Sequence, residues 1–346
     1  MRTAAAHLKS RWVLAGLAAV AVALLVGVAV GPTSIPLSRI VTEATRHLPL
    51  VGGGHGLDHQ QRTIVWELRL PRVVLALLVG AMLAGAGASY QGVFRNPLAD
   101  PYLLGAAAGA GLAVTIVIAA APGLSGGGLN PLPLAAFVGA LGAVLVAYLV
   151  GRASGGGSTA SLLLAGVAVA SFLTAVQTYV QQQHADTIRE VYSWILGRLT
   201  TAGWSDVLLL LPYFVVTSVI LLAHRRILDV LAVGDAEATT LGISARKARV
   251  IIVITASFAT AAAVSVSGLI GFVGIIVPHT VRLLTGPSYR TILPLSLLFG
   301  AAFLAFADLA ARTVAAPGEI PIGLVTAFVG APFFILVLRT SRLAPS

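Results

Sequence analysis

The sequence contains no cysteine. That excludes disulfides, thiolate catalysis and any zinc or iron–sulfur site built on sulfur. Charge is scarce as well: Asp, Glu, Lys and Arg make up 10% of the 346 residues, against 58% hydrophobic. A soluble globular chain carries roughly 25% charge, so this one lacks the polar atoms to cover a water-facing surface. Lysine occurs only as Lys9 and Lys247, and neither stands in G-x-x-x-x-G-K-[ST]. The phosphate-cradling loop of that motif, and ATP hydrolysis by that route, are therefore absent. No H-E-x-x-H zinc helix is found either. The net charge of +10 is thinly spread between apolar runs, whereas a nucleic-acid surface needs Lys and Arg clustered on one element. Nucleic acid is not an expected partner.

What is present is a succession of apolar runs, punctuated by Gly, Pro and charge. A hydrocarbon core of about 30 Å needs roughly 20 apolar residues per helical crossing. The runs predict spans near 12–31, 71–90, 102–121, 132–150, 161–181, 206–224, 248–267, 270–285, 292–313 and 322–339. This is an all-α polytopic membrane protein of about ten helices, and residues 1–346 form one transmembrane domain. The first run exceeds the 7–15 apolar residues of a signal-peptide core and is expected to be a retained span. With the N-terminus inside, the inner segments hold fourteen basic residues and the outer ones eight. The positive-inside rule then predicts both termini in the cytoplasm and the lipid of an inner membrane around the chain.

Ionisable groups within the apolar runs are few. Ion-coupled carriers usually keep carboxylates or histidines at midplane. Here Asp308 is the only carboxylate inside an apolar run, four residues before Arg312, and the spacing allows the two to pair along one helix face. A stand-alone ion-coupled carrier is thus the weaker alternative, and a polytopic enzyme weaker still. His55, Asp58 and His59 have metal-like spacing, but their glycine-rich surroundings favour a polar loop, and no metal site is expected.

Two polar segments are too structured for simple connectors. In the first, Gln91 to Pro101, Pro97 and Pro101 force a break because each lacks an N–H and restricts its predecessor. The second, 229–249, is the longest inner connection. Within it Asp235, Glu237, Ala238 and Leu241 read as a short helix ended by Gly242 at C′, with both carboxylates in the first turn. A capped helix between basic clusters suits docking to a soluble partner.

These segments carry a family resemblance. The chain resembles the FecCD/BtuC-type permeases, the membrane subunits of type II ABC importers for iron–siderophores, haem and vitamin B12. The matching stretches are Arg69 to Arg72, Gln91 to Pro101 with Leu104-Gly105, Leu162 to Gly166, Gly268 to Arg282, Asp308 to Arg312, Glu319 to Thr326, and Gly330 to Pro332. The resemblance implies a permease dimer, two cytoplasmic ATPase subunits that use ATP and Mg²⁺, and an extracytoplasmic binding protein. It implies no cofactor and no catalytic residue in this chain. It places the ATPase-coupling helix at Asp235, Glu237, Ala238, Leu241 and Gly242, and a cytoplasmic gate at Asn96, Leu98 and Thr159. Arg69, Arg72 and Arg312 match arginines that grip the binding protein. Gly155-Gly156-Gly157 before Thr159 departs from the family pattern and implies a looser gate. The cargo implied is a ferric siderophore or haem, with cobalamin as the alternative.

Overall fold

The computed structural model describes residues 8–31, 33, 35–45, 57–120, 130–155, 159–197, 199, 200 and 202–341. Among them every regular element is helical. In chain order these are α1 (Ser10–Ala29), α2 (Leu37–Thr45), α3 (His59–Thr63), α4 (Leu70–Phe94), α5 (Ala106–Ala120), α6 (Leu132–Gly155), α7 (Thr159–Gln183) and α8 (Ile188–Ile195). They continue with α9 (Trp204–Val233), α10 (Asp235–Thr240), α11 (Ala245–Ser267), α12 (Val273–Thr285), α13 (Tyr289–Thr313) and α14 (Ile322–Ser341).

Seven helices are long and apolar enough to cross a membrane: α1, the continuous helix His59–Phe94, α6, α7, α9, α11 and α13. Three shorter apolar helices, Ala106–Ala120, Val273–Thr285 and Ile322–Val337, occupy the remaining expected spans. At 1.5 Å per residue the first two reach only about 20 Å. Their shortness follows from the breaks before them. Pro97 and Pro101 end the run after α4 in a 3-10 turn, Pro101–Leu104, and Gly268 (φ +69°) and Phe272 (φ +69°) end α11 in left-handed backbone. Non-helical backbone at membrane depth is tolerated only where protein satisfies it. Tyr102 does so here: its hydroxyl donates to the Ile270 carbonyl (3.0 Å) and accepts from the Ile270 N–H (3.2 Å), tying the two breaks together.

Helix α4 is the axis of the bundle, buried on all sides from Leu78 to Phe94 and packed against α1, α9, α11, α12 and α13. Small residues allow this. A Cβ on Gly80 would lie 2.2 Å from the Gly300 carbonyl oxygen, and one on Gly87 would lie 2.0 Å from that of Gly274. Between membrane helices such close backbone approach replaces the hydrophobic drive that lipid cannot supply. By contrast α6 and α9 expose rows of aliphatic side chains, among them Leu134, Val138 and Leu149, and Leu208, Val216 and Val219. These are lipid-facing surfaces.

Ahead of α4, Glu43 of α2 pairs with Arg62 of α3 (2.6 Å) and accepts the Leu57 N–H (3.2 Å). Asp58 caps α3 by accepting from the Gln61 N–H at 2.7 Å. A single π turn, Ile64–Arg69, then leads into α4.

Candidate functional site

Arg72 and Arg312 share Asp308, while Arg69 and Arg312 both bond carbonyls at the end of α1. Arg69 closes the π turn and is buried. It donates to the carbonyls of Val28 and Ala29, both at 3.0 Å, and to that of Thr33. The last carbonyls of a helix have no partner within it, and a cation there also complements the dipole, so Arg69 caps α1. Gly31 leaves room for the guanidinium, since a Cβ there would lie 2.6 Å from Nη2.

Arg72, in the first turn of α4, forks between two carboxylates. Nε reaches Asp308 Oδ1 at 2.9 Å and Nη2 the same oxygen at 2.8 Å. Nη1 and Nη2 reach the two oxygens of Glu319, each at 3.0 Å. Arg312 is 3% exposed, donates to the Gly27 carbonyl, and holds Nε 3.5 Å from Asp308 Oδ2. The expected pairing of Asp308 with Arg312 is therefore present but is the longer contact, and the bidentate partner is Arg72. Planar guanidinium and carboxylate groups favour this two-point geometry. Glu67 is exposed, whereas Glu319, not singled out from the sequence, closes the network at the surface with its side chain 33% exposed. A cavity of about 280 Å³ opens there, lined by Arg72, Glu319, Ser193, Thr200 and Ile322.

At the opposite end of the bundle, α10 forms with the expected cap. The Gly242 N–H donates to the Thr239 carbonyl and the Ile243 N–H to that of Ala238, both at 2.9 Å, with Gly242 at φ +72°. These paired bonds are the Schellman arrangement that an αL glycine permits. Ala238 is fully buried, while Glu237 and Leu241 are exposed, Leu241 to 66%. Asp235 fixes the helix to the bundle, bonding Arg95 at the end of α4 and Arg249 of α11, the latter at 2.8 Å. Arg95 also donates from Nε to the Leu231 carbonyl (2.7 Å) and itself adopts φ +51° as the C-cap of α4. Burial pushes the Asp235 carboxyl upward, but Arg249 and Arg95 outweigh it and hold the group below its ordinary value.

A second inner network links the end of α9 to the centre. Asp229 accepts from the Ser288 hydroxyl (2.8 Å) and the Tyr289 N–H. Arg282 donates to the Tyr289 hydroxyl (2.8 Å) and to Gln91 Oε1 (3.2 Å), and Gln91 donates to the Gly274 carbonyl (3.2 Å). This path runs from the helix preceding α10 to the break before α12. Charge run and spacing give no sign of it, because its members lie far apart in sequence.

Of the expected gate residues, Asn96 and Leu98 share one turn, with Asn96 Oδ1 accepting the Leu98 N–H at 2.9 Å. Thr159 opens α7 and is half-buried. Gly155 ends α6, while 156–158 lie outside the described residues, as does His55. Among the described residues no group of three or more His, Asp or Glu could hold a metal.

A helical bundle turning about one buried helix, with a charge network at one end and a capped helix at the other, has the architecture of a transport permease. The chain belongs to the FecCD transport family, whose pattern matches residues 19–340. It is 40% identical to the cobalamin import system permease protein of Halobacterium salinarum, across 98% of both chains. It is 38% identical to the iron(3+)-hydroxamate import system permease protein of Bacillus subtilis, across 95% of this chain and 83% of the relative. Its fold matches that of a metal-chelate type ABC transporter in an inward-facing conformation, with a TM-score of 0.82, 27% identity, and 96% of this chain and 100% of the other covered. These relatives are permease subunits of importers and not enzymes.

Proposed function

We propose that the chain is the membrane-spanning permease subunit of an ATP-driven importer, and that two copies enclose the path of a metal chelate, a ferric siderophore or haem. Two cytoplasmic ATPase subunits supply the energy and an extracytoplasmic binding protein supplies the cargo. Both termini lie in the cytoplasm of an inner-membrane protein, as the excess of basic residues on that side favours. The observation that carries this reading is the near end-to-end match with importer permeases in sequence and in fold. Cobalamin is the second reading, favoured by the cobalamin permease that matches 98% of each chain.

Three further roles belong to the proposal. Leu241 and Glu237, exposed on α10, meet the ATPase. Asn96, Leu98 and Thr159 border the inner opening. Arg72 meets a carboxylate of the binding protein by exchanging it for Glu319, while Arg69, Arg312 and Asp308 hold Arg72 in place. Arginine suits this task because its fork stays charged and grips carboxylates at two points.

The test is uptake into proteoliposomes containing the chain with the ATPase and binding protein encoded beside it. Labelled ferric siderophore, haem and cobalamin are offered with and without ATP. Uptake of one of them that requires both ATP and the binding protein is expected. Uptake by the chain alone, driven by a proton or sodium gradient, overturns the proposal in favour of a stand-alone carrier.

A further inference from the structure

A cavity of about 500 Å³ lies at the outer end of the lipid-facing side, between α6, α9 and α11. Its mouth carries Asn130, Ser205 and Asp206, and its deeper wall Phe137, Leu210 and Tyr213. The aromatic floor is rigid: Phe137 packs against Tyr213 with centroids 5.7 Å apart, and edge-on against Phe258 at 5.1 Å. Among the described residues the Tyr213 hydroxyl has no hydrogen-bond partner, and Asp206 has no ion-pair partner.

Depth along α9 fixes what can reach the cavity. Asp206 to Arg225 is nineteen residues, or about 29 Å at 1.5 Å per residue, close to one hydrocarbon thickness. Asp206 therefore sits at the outer boundary, next to Trp204, whose indole N–H donates to the Trp66 carbonyl at 2.9 Å. Trp is the residue enriched at that level. Tyr213 lies seven residues further in, about 10 Å deeper. The flanking faces are exposed aliphatic rows, with Leu134 and Val138 on α6 and Leu208 and Val216 on α9. A pocket that is polar at headgroup depth, aromatic and aliphatic at acyl depth, and open between two such faces is reached through the bilayer.

The charge at its mouth is negative, since among the described lining residues Asp206 is the only one of Asp, Glu, Lys, Arg or His. Oδ2 accepts the Gly203 N–H at 3.0 Å, leaving Oδ1 for a ligand. Asn130 Oδ1 and the Ser205 hydroxyl oxygen add acceptors. An anionic headgroup is disfavoured here, and a headgroup rich in N–H donors is matched. We propose that this cavity binds a phospholipid with a primary-ammonium headgroup, phosphatidylethanolamine, with its ammonium at Asp206 and one acyl chain against Phe137 and Tyr213. The lipid braces the outer end of the helix whose inner end leads into α10.

The test is native mass spectrometry of the delipidated full chain, titrated separately with dioleoyl phosphatidylethanolamine, phosphatidylglycerol and phosphatidylcholine. The first ethanolamine lipid should bind about tenfold more tightly than the other two, the range of one charge-assisted hydrogen bond. Phosphatidylcholine separates N–H donation from charge alone, since its ammonium has no N–H. Asp206→Asn keeps an acceptor for the Gly203 N–H, so the fold is retained while the preference falls. Val266→Trp fills the cavity and should remove the first binding event for all three lipids. Equal binding of the three lipids by the unaltered chain overturns the proposal, as does a preference that both variants leave intact.

Discussion

Arg72 and Asp308, 236 residues apart, meet through two guanidinium nitrogens, with Asp308 1% exposed and the Arg72 side chain 11% exposed. The pair joins the start of α4 to the end of α13 at the outer boundary of the bundle. Glu319 completes the pair from the surface, so one arginine connects the interior to the exposed end of the bundle.

Burial divides the two carboxylates energetically. Asp308→Ala leaves Arg72 and Arg312 as under-compensated buried cations, and breaking such a pair costs roughly 3–5 kcal/mol. Glu319→Gln removes a half-exposed contact and should cost no more than about 1 kcal/mol. Thermal unfolding in detergent should therefore show a large fall in midpoint for the first variant and little change for the second. Equal shifts would mean that the network is not built around Asp308.

Docking is best probed at Glu319 for the same reason. Charge reversal at Arg72 would set a third carboxylate against Asp308 and Glu319 and is expected to perturb the fold itself. Glu319→Gln frees two N–H groups of Arg72 without that penalty. Under the proposed exchange, the variant should bind the binding protein several-fold more tightly at low salt, as desolvated charge pairs allow. Surface plasmon resonance across a salt series measures this, and unchanged affinity removes Arg72 from the interface.

Leu241 projects at the end of a helix whose Ala238 is buried. Leu241→Asp should leave the unfolding midpoint of the chain unchanged, since exposed substitutions shift stability by about 0.5 kcal/mol or less. In the assembled transporter the same change places a charge in an apolar contact, and both ATP-driven uptake and stimulation of ATP hydrolysis should be lost. Full activity of the variant would move the ATPase contact elsewhere.

The Asp235 clamp has a defined pH window. Its carboxyl is held below the ordinary value of 3.8 in the folded chain. A depressed folded pKa gives a contribution that is present above the unfolded value and lost as pH falls through the folded one. Hydrogen exchange in residues 235–243 should thus be equally protected, after correction for intrinsic rates, from pH 8 down to about 5. Selective loss of protection between pH 7 and about 5 would show that Asp235 does not hold α10. Asp235→Asn should reduce protection throughout this range.

Much of the architecture was legible in the sequence because it rests on local quantities. The length of an apolar run against the bilayer thickness placed all ten apolar helices. The Gly242 cap of α10 could be read from its position alone, because only a residue tolerant of φ > 0 ends a helix that way. The family motifs located Arg69, Arg72, Arg312 and the inner segments, but not their partners. Tertiary packing decided those. Arg72 faces Asp308 and Glu319, and Asp235 faces Arg95 and Arg249, because α4 is enclosed by helices that are remote in sequence. It also decided how the breaks before α5 and α12 are satisfied, with the Tyr102 hydroxyl bonding Ile270 across a separation of 168 residues. A sequence shows which side chains need partners in an apolar medium. Which groups meet them depends on how closely the backbones approach, and that distance exists only in the assembled bundle.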